Sequence, residues 1–192
     1  MTEKTAEKIA SVALALLEEE GAEAVSMRRV AEKVGITPMA IYHHFPDRQA
    51  LLTFITDGEF AKLADHLRAL PRARTPKERL LHVMDYYVDY GFAHPRVFDY
   101  VFSRYRDDAR RFPDDFRAGR SPTMNLVAET VSAAMKADVI RQDDVWEVAM
   151  DLWSFAHGYV ALYRAGRFAL EQAAFRTLFQ RSMRRFFNGL KA

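Results

Sequence analysis

Two histidines lie side by side at positions 43 and 44, directly after Tyr42, in the segment GITPMAIYHHFPDRQAL (35–51). Imidazole can bind a metal ion, exchange a proton or hydrogen-bond to a partner, so each kind of chemistry has to be considered. Neighbouring residues of a helix point about 100° apart, which prevents His43 and His44 from easily chelating one ion. We therefore interpret the segment as a surface that contacts a partner. A purely structural role for the two histidines is the alternative.

A second group of titratable residues lies in the middle of the chain. His82 and Asp85 are three residues apart on a predicted helix, and His157 follows much later. They could form a metal site or an acid–base pair, but no third metal ligand is spaced with them. The chain has no cysteine, and it lacks a nucleophile elbow, a phosphate loop, an HExxH motif and a paired-carboxylate motif. We predict no metal site, no cofactor and no enzymatic activity.

The elements that hold these residues are all predicted to be helices. Thr37-Pro38, Thr75-Pro76 and Ser121-Pro122 each place an N-cap residue before a proline at the first helical position, and Glu78 completes a capping box at the second of them. Gly21 is expected to end the first helix in the left-handed conformation. No alternating strand pattern is present, so the predicted fold class is all-α. The predicted helices run up to residue 20 and then span 26–34, 37–45, 47–70, 76–92, 95–105, 122–137, 144–165 and 170–188, with a loop and a short helical turn at 106–120.

Residues 26–45 form the pattern of a helix-turn-helix. Gly35 lies in the tight turn, where a residue without Cβ can adopt a positive φ, and Ala31 is small where the two helices cross. The apolar residues expected to hold the two helices together are Val30, Val34, Ile36, Ile41 and Phe45. An outer face with a tyrosine and histidines and no long apolar stripe suits a DNA major groove. The residues on that face or at its N-terminal tip are Thr37, Pro38, Met39, Ala40, Tyr42, His43 and His44.

Phosphate contacts are expected at the N-termini of these helices, where free backbone amides and a partial positive charge favour an anion. Ser26 and Arg28 lie at the tip of the first short helix, and Arg48 lies in the first turn of the helix that follows the motif. The net charge of +2 is too small to identify a partner by itself.

The segment SMRRVAEKVGITPMAIYHHFPDRQALL (26–52) resembles the DNA-binding domain of the tetracycline-repressor (TetR) family of bacterial transcription regulators. The matching positions are Ser26, Ala31, Gly35-Ile36-Thr37, Tyr42-His43-His44-Phe45 and Asp47-Arg48, with Arg48 replacing the more usual lysine. The resemblance implies that Thr37, Tyr42 and Arg48 bind phosphates. It also implies that Met39, Ala40 and His43 lie closest to base edges, that His44 supports the helix, and that Phe45 belongs to the core.

The family resemblance implies a three-helix DNA-binding domain at residues 1–48 and a helical bundle for effector binding and dimerisation at residues 49–192. The helix at 144–165 is apolar around much of its circumference, so we expect it to be buried on more than one side. We predict that it forms a four-helix interface with the helix at 170–188 in a two-fold homodimer. Packing of both helices within one subunit is the alternative. The small residues that would permit a close approach are Ser154, Gly158, Ala161 and Ala165.

The middle helices are rich in aromatic residues, and in the family the corresponding region encloses a small effector. Such a lining would suit an apolar or aromatic ligand with a polar group. The predicted ligand contacts are Tyr86, Tyr90, Phe98, Phe102, Trp153 and His157. The pattern Trp153-x3-His157-Gly158 also resembles the C-terminal domains of one branch of the family. A plain core is the alternative for any of these aromatic residues.

Together these observations predict a ligand-responsive transcription regulator, expected to be a repressor, that a small apolar or aromatic effector releases from a near-palindromic operator in double-stranded DNA. The alternative is a helical enzyme or a protein-interaction module that uses the middle helices without binding DNA. The sequence shows no secretory signal and no apolar segment long enough to span a bilayer, so we expect a cytoplasmic protein without membrane contact.

Overall fold

The computed structural model describes residues 2–190, and these residues form ten α-helices, one 3₁₀ helix and one π-helical turn without any β-strand. The predicted all-α fold class is confirmed for this part of the chain. Met1, Lys191 and Ala192, at the outer ends of the two predicted domains, lie outside the described residues. Between residues 2 and 190, no helix is long and apolar enough to cross a membrane.

The helices match most of the predicted ranges. They are α1 (Thr2–Glu20), α2 (Met27–Val34), α3 (Pro38–Tyr42), α4 (Arg48–Ala69), α5 (Pro76–Ala93), α6 (Pro95–Phe98), α7 (Asp114–Arg117), α8 (Pro122–Lys136), α9 (Val145–Arg164) and α10 (Gln172–Gly189). The 3₁₀ helix spans Ala22–Ala24, and the π-helical turn spans Asp99–Ser103.

Side-chain caps explain why several helices begin where the sequence predicts. The hydroxyl oxygens of Ser26, Thr37 and Ser121 accept hydrogen bonds from backbone amides three residues further on, at 3.2–3.4 Å. Thr75 does the same for the amide of Glu78 at 3.1 Å. Glu78 reaches back to the amide of Arg74 at 2.7 Å, one residue before the partner expected of a capping box.

Three local predictions were wrong in detail. Gly21 does end α1 with a positive φ, but its φ of 93° and ψ of 173° lie outside the left-handed helical region, and the 3₁₀ helix follows directly. Helix α3 ends at Tyr42 rather than at residue 45, because Pro46 disfavours helical backbone at the residue before it. The predicted helix at 95–105 consists of α6 followed by the wider π-helical turn.

The chain divides into two compact units. The first unit comprises residues 1–61 and 93–109, and the second comprises residues 62–92 and 110–192. The core of the first unit contains fully buried side chains from α1, α3, α4 and α6: Ile9, Leu16, Leu17, Ile41, Leu51, Leu52 and Phe98. The core of the second unit is aromatic around Phe175, Phe179 and Phe187 on α10, all at most 1% exposed.

Polar contacts attach residues 93–109 to the helices near the N-terminus within the first unit. His94 Nδ1 lies 2.9 Å from Glu18 Oε1, and Arg96 donates to the backbone oxygen of Glu18 at 3.0 Å. Arg104 pairs with Glu23 at 2.8 Å. Thr53 on α4 donates to Asp108 at 2.7 Å. A segment far along the chain therefore belongs to the same compact body as the helix-turn-helix.

Candidate functional site

The turn at Gly35 sets the angle between α2 and α3. Gly35 has φ 80° and ψ 34°, the left-handed conformation that glycine adopts without a steric penalty. The amides of Gly35 and Ile36 both donate to the backbone oxygen of Ala31 at 3.0 Å, which closes the end of α2. Ala31 itself is fully buried where the two helices meet. This geometry is the one predicted from the spacing of Ala31 and Gly35.

The inner side of α3 is held by the core of the first unit. Ile41 is fully buried, Phe45 is 5% exposed, and Val30 and Val34 of α2 are also buried. Ile36 is half-buried, so its predicted place in the core was wrong. Because one side of α3 is packed against the core in this way, this helix of five residues is kept in a fixed orientation.

The outer side of α3 is open to solvent. Met39 is 71% exposed and Tyr42 is 49% exposed, although both are large and apolar enough to be buried in an ordinary core. Among the predicted DNA contacts, Ser26, Arg28, Thr37, Pro38 and His43 are exposed as well, while Ala40 and Arg48 are half-exposed. His44 is half-buried beside them. The structure thus places the predicted set on the outside of α2, α3 and the start of α4.

Arg48 has a contact that the sequence did not predict. Its Nε donates to the backbone oxygen of Val25 at 2.6 Å, and its Nη2 donates to that of Ala22, also at 2.6 Å. These carbonyls belong to the 3₁₀ helix and the residue that follows it, elements absent from the predicted fold. Arg48 therefore attaches α4 to the chain preceding α2, and only its remaining donors are available to a phosphate.

An ion pair beside α2 joins Glu20 and Arg29. The carboxylate of Glu20 accepts from the guanidinium of Arg29, and this hydrogen bond lowers the pKa of Glu20 and raises that of Arg29. The charge of Arg29 is thus partly neutralised near the motif, whereas Arg28 is exposed next to it. Arg28 is the better-placed cation of the two for a phosphate.

The six predicted ligand contacts are divided between the two units. Phe98 and Phe102 belong to the first unit, where their rings lie 5.0 Å apart and Phe98 is fully buried. The other four belong to the second unit and are Tyr86, Tyr90, Trp153 and His157. Tyr90 is buried at 8% exposure, and Tyr86 stacks on His66 at 5.9 Å between ring centroids.

A hydrogen-bonded tyrosine–histidine pair lies within the second unit, with Tyr87 buried and His157 half-buried. The hydroxyl of Tyr87 and Nδ1 of His157 are 2.9 Å apart, and the ring of Trp153 lies 5.9 Å from that of His157. Burial lowers the pKa of His157, so the ring is neutral near neutral pH. Burial also raises the pKa of Tyr87 far above its usual range, against a smaller opposing effect of a hydrogen bond with Trp153. Tyr87 was not among the predicted contacts, because only the fold shows which of the adjacent Tyr86 and Tyr87 faces α9.

The titratable residues considered for a metal do not form such a site. His82 and Asp85 line a cleft on α5, and His157 instead pairs with Tyr87. Within residues 2–190, no group of three or more histidine, aspartate or glutamate side chains could hold a metal ion.

Comparison with protein families gives two matches that together cover most of the chain. A family described as "Bacterial regulatory proteins, tetR family" matches residues 9–53, from α1 into α4. A family described as "Tetracyclin repressor-like, C-terminal domain" matches residues 80–186, which is more than half of the 192 residues.

Individual relatives agree with these matches. The chain is 29% identical over 110 residues to the tetracycline repressor protein class A from transposon 1721 of Escherichia coli, and the match spans 57% of this chain and 45% of the repressor. The chain thus aligns with less than half the length of that curated relative. A protein of unknown function from Rhodococcus sp. RHA1 has the same fold, with a TM-score of 0.81, 24% identity and coverage of 98% of this chain and 96% of its own. A TetR-family regulator from Pectobacterium atrosepticum has a TM-score of 0.72 at 16% identity, with coverage of 100% and 96%.

Proposed function

The chain belongs to the tetracycline-repressor family of bacterial regulatory proteins, and we propose that it is a ligand-responsive transcription regulator that binds an operator through the outer face of α3. The observation that carries this proposal is the contrast across α3: Ile41 is fully buried, while Met39 and Tyr42 on the other side are exposed. A helix held rigidly on one side and free on the other can enter a major groove.

The proposed contacts fall into two groups. Met39, Ala40 and His43 would face base edges, since the middle and outer side of α3 enter the groove most deeply. The contacts proposed for phosphate positions are Ser26, Arg28, Thr37, Tyr42 and Arg48, and Pro38 lies beside them at the start of α3. The hydroxyls of Ser26 and Thr37 accept a backbone amide in their caps and can still donate their own proton to a phosphate oxygen. Arg28 supplies a full charge, and Arg48 contributes mainly by holding the start of α4 in place.

Two copies of the chain are required by this proposal, because a single five-residue helix contacts too few bases to select an operator. We propose a two-fold homodimer through α9 and α10. On α9, Leu162 is 50% exposed, and Ser154 is exposed while Gly158 and Ala161 are half-exposed. These small side chains would let the same helix of a second copy approach closely, with Leu162 buried in the contact.

The proposed effector site is the environment of the Tyr87–His157 pair in the second unit, together with Tyr86, Tyr90 and Trp153. A neutral imidazole and a phenol offer hydrogen bonds without a net charge, which suits an uncharged polar group on an apolar or aromatic molecule. Phe98 and Phe102 of the first unit remain in the proposed set as residues that would respond to the effector. The segment 93–109 belongs to the first unit, although the residues just before it belong to the second. We therefore propose this segment as the route by which effector binding is coupled to DNA binding.

The function is tested by DNase footprinting on the DNA upstream of the chain's own gene. We expect protection of two half-sites related by a near-palindrome, with centres about one helical turn or a small multiple of it apart. Protection should be lost on addition of the cognate effector. The functions of the genes next to the operator indicate which compounds to test. Absence of specific protection on this DNA, and on DNA selected from a random pool, would contradict the proposal.

A further inference from the structure

A polar cleft of about 310 Å³ lies between α5 and α10 within the second unit. It is lined by Glu78, Leu81, His82 and Asp85 of α5 and by Gln180 and Arg184 of α10. None of these residues belongs to the proposed DNA interface or to the proposed effector contacts. The volume is near the lower end of the roughly 300–1,000 Å³ of protein ligand pockets, which restricts an occupant to a small molecule.

The cleft lies where a ladder of polar pairs between α5 and α10 is interrupted. Asp89 pairs with Arg176 at 2.7 Å, and one turn further Asp85 accepts from Gln180 at 3.0 Å. A step of four residues on both helices next brings Arg184 opposite position 81. Position 81 is a leucine, so the acceptor that would continue the ladder is missing.

Arg184 presents a guanidinium to the cleft, and its charge acts on Asp85 without an ion pair between the two side chains. Within residues 2–190, its guanidinium has neither a hydrogen bond nor an ion pair, and the residue is exposed. Glu78 also lines the cleft but forms no ion pair with Arg184, and one of its oxygens accepts the backbone amide of Arg74 at 2.7 Å. A guanidinium is well suited to a carboxylate, which it can bind through two parallel hydrogen bonds.

Asp85 supplies a second recognition group. Its Oδ2 accepts from Gln180, while its Oδ1 has no hydrogen bond within the described part of the chain. Burial raises the pKa of this carboxyl, with the hydrogen bond from Gln180 acting in the opposite direction. A partly buried acceptor of this kind favours a ligand that donates a hydrogen bond to it.

We propose that the cleft binds a small organic acid that also carries a hydrogen-bond donor, as in an α-hydroxy acid or an α-amino acid. The ligand carboxylate binds Arg184, the hydroxyl or ammonium group donates to Asp85, and Leu81 contacts the carbon chain. The carboxylate thereby replaces the acceptor that the ladder lacks at position 81. This site is additional to the proposed effector site and does not depend on DNA binding.

The proposal is tested by calorimetric titration of the full chain with L-lactate, L-alanine and propionate. Propionate has the carboxylate and carbon chain but no donor, so we expect it to bind about tenfold more weakly than the better of the other two. Equal affinity for all three acids, or no saturable binding by lactate or alanine at high millimolar concentration, would overturn the proposal.

Two variants and a matched control locate the site. Arg184→Gln should abolish binding of all three acids, and Asp85→Asn should weaken lactate or alanine while leaving propionate unchanged. Arg181→Gln removes the same charge from an exposed position of α10 outside the cleft and should bind like the wild type. Each variant is first compared with the wild type by thermal unfolding and footprinting, which separates failure of this site from failure of the fold or the proposed function. Unchanged binding by a folded Arg184→Gln variant would contradict the assignment.

Discussion

Two of the tyrosine–histidine pairs in the described part of the protein lie in opposite environments. Tyr42 and His43 are neighbours in sequence at the end of α3, where Tyr42 is 49% exposed and His43 is also exposed. Tyr87 and His157 are 70 residues apart in sequence and meet in the second unit at 2.9 Å, with Tyr87 buried. Tyrosine and histidine are therefore open to a macromolecular partner at the end of α3, whereas in the second unit they contact each other.

This difference shows what burial does to a polar side chain. At α3 the hydrogen-bonding groups remain available, because the local turn and caps hold the helix without using them. In the second unit each group contributes to the other's hydrogen bonding, and burial shifts the pKa of both. Substitutions at the first pair should alter DNA binding, whereas substitutions at the second should alter the free energy of unfolding.

The largest expected effect on stability is at Ile41, whose buried side chain packs α3 against the core. Ile41→Ala empties a fully buried position and should lower the free energy of unfolding by about 2–5 kcal/mol. Urea denaturation measures this loss. Met39→Ala on the opposite side of the same helix is the control and should change stability by less than about 0.5 kcal/mol. Similar losses of unfolding free energy for both variants would contradict the described difference in burial between the two sides of α3.

Substitution of Arg48 tests whether DNA binding by the helix-turn-helix depends on the hydrogen bonds that hold the start of α4 in place. Arg48→Ala removes hydrogen bonds to Val25 and Ala22 and should cost about 1–3 kcal/mol of unfolding free energy as well as DNA affinity. Arg28→Ala is the matched control: it should weaken DNA binding and reduce its salt dependence without altering unfolding. If Arg48→Ala lowered affinity with no change in unfolding, Arg48 would be a phosphate contact alone.

The two tyrosines should respond differently to loss of the hydroxyl. Tyr87→Phe leaves the partly buried imidazole of His157 one hydrogen-bond partner short and should destabilise the fold by about 1–2 kcal/mol. Tyr42→Phe should leave urea denaturation unchanged within about 0.5 kcal/mol, because the exposed hydroxyl is hydrated in both states. Equal losses would mean that the burial contrast has no energetic consequence.

A smaller effect concerns pH. Burial holds the pKa of His157 below its ordinary 6.5, so on acidification the unfolded chain takes up this proton first. The stabilisation from the neutral ring is complete above the unfolded value and is lost as pH falls through the folded value. The stability advantage of the wild type over His157→Gln should therefore shrink between about pH 7.5 and pH 5 in urea denaturation. A difference independent of pH would show that His157 titrates alike in both states.

The helix-turn-helix could be predicted from sequence because its determinants are local. Thr37-Pro38 sets the start of α3, Gly35 sets the turn, and Ile41 identifies the buried side, all within seven residues. The contacts of Arg48, by contrast, could not be predicted from local sequence. Its carbonyl partners lie in a 3₁₀ helix and in the residue that follows it, and the three residues of that helix carry too little periodicity to be recognised.

The proposed ligand contacts are harder to predict from the sequence. An aromatic residue at helical spacing fits a core and a pocket equally well, as the fully buried Phe98 illustrates. The partner of Tyr87 lies 70 residues away, and the division between two compact units separates Phe98 and Phe102 from the other four predicted contacts. Such relations depend on packing between distant segments and have no local pattern.

The most direct test is the affinity of the wild type and three variants for the footprinted operator and for the same DNA with its half-sites scrambled, measured by fluorescence anisotropy. Tyr42→Ala should weaken binding to both DNAs, whereas His43→Ala should mainly reduce the preference between them by about tenfold. Tyr105→Ala, at an 84% exposed tyrosine outside α2 and α3, is the control and should match the wild type. If Tyr42→Ala and His43→Ala bind both DNAs as the wild type does, the outer face of α3 is not the DNA-binding surface.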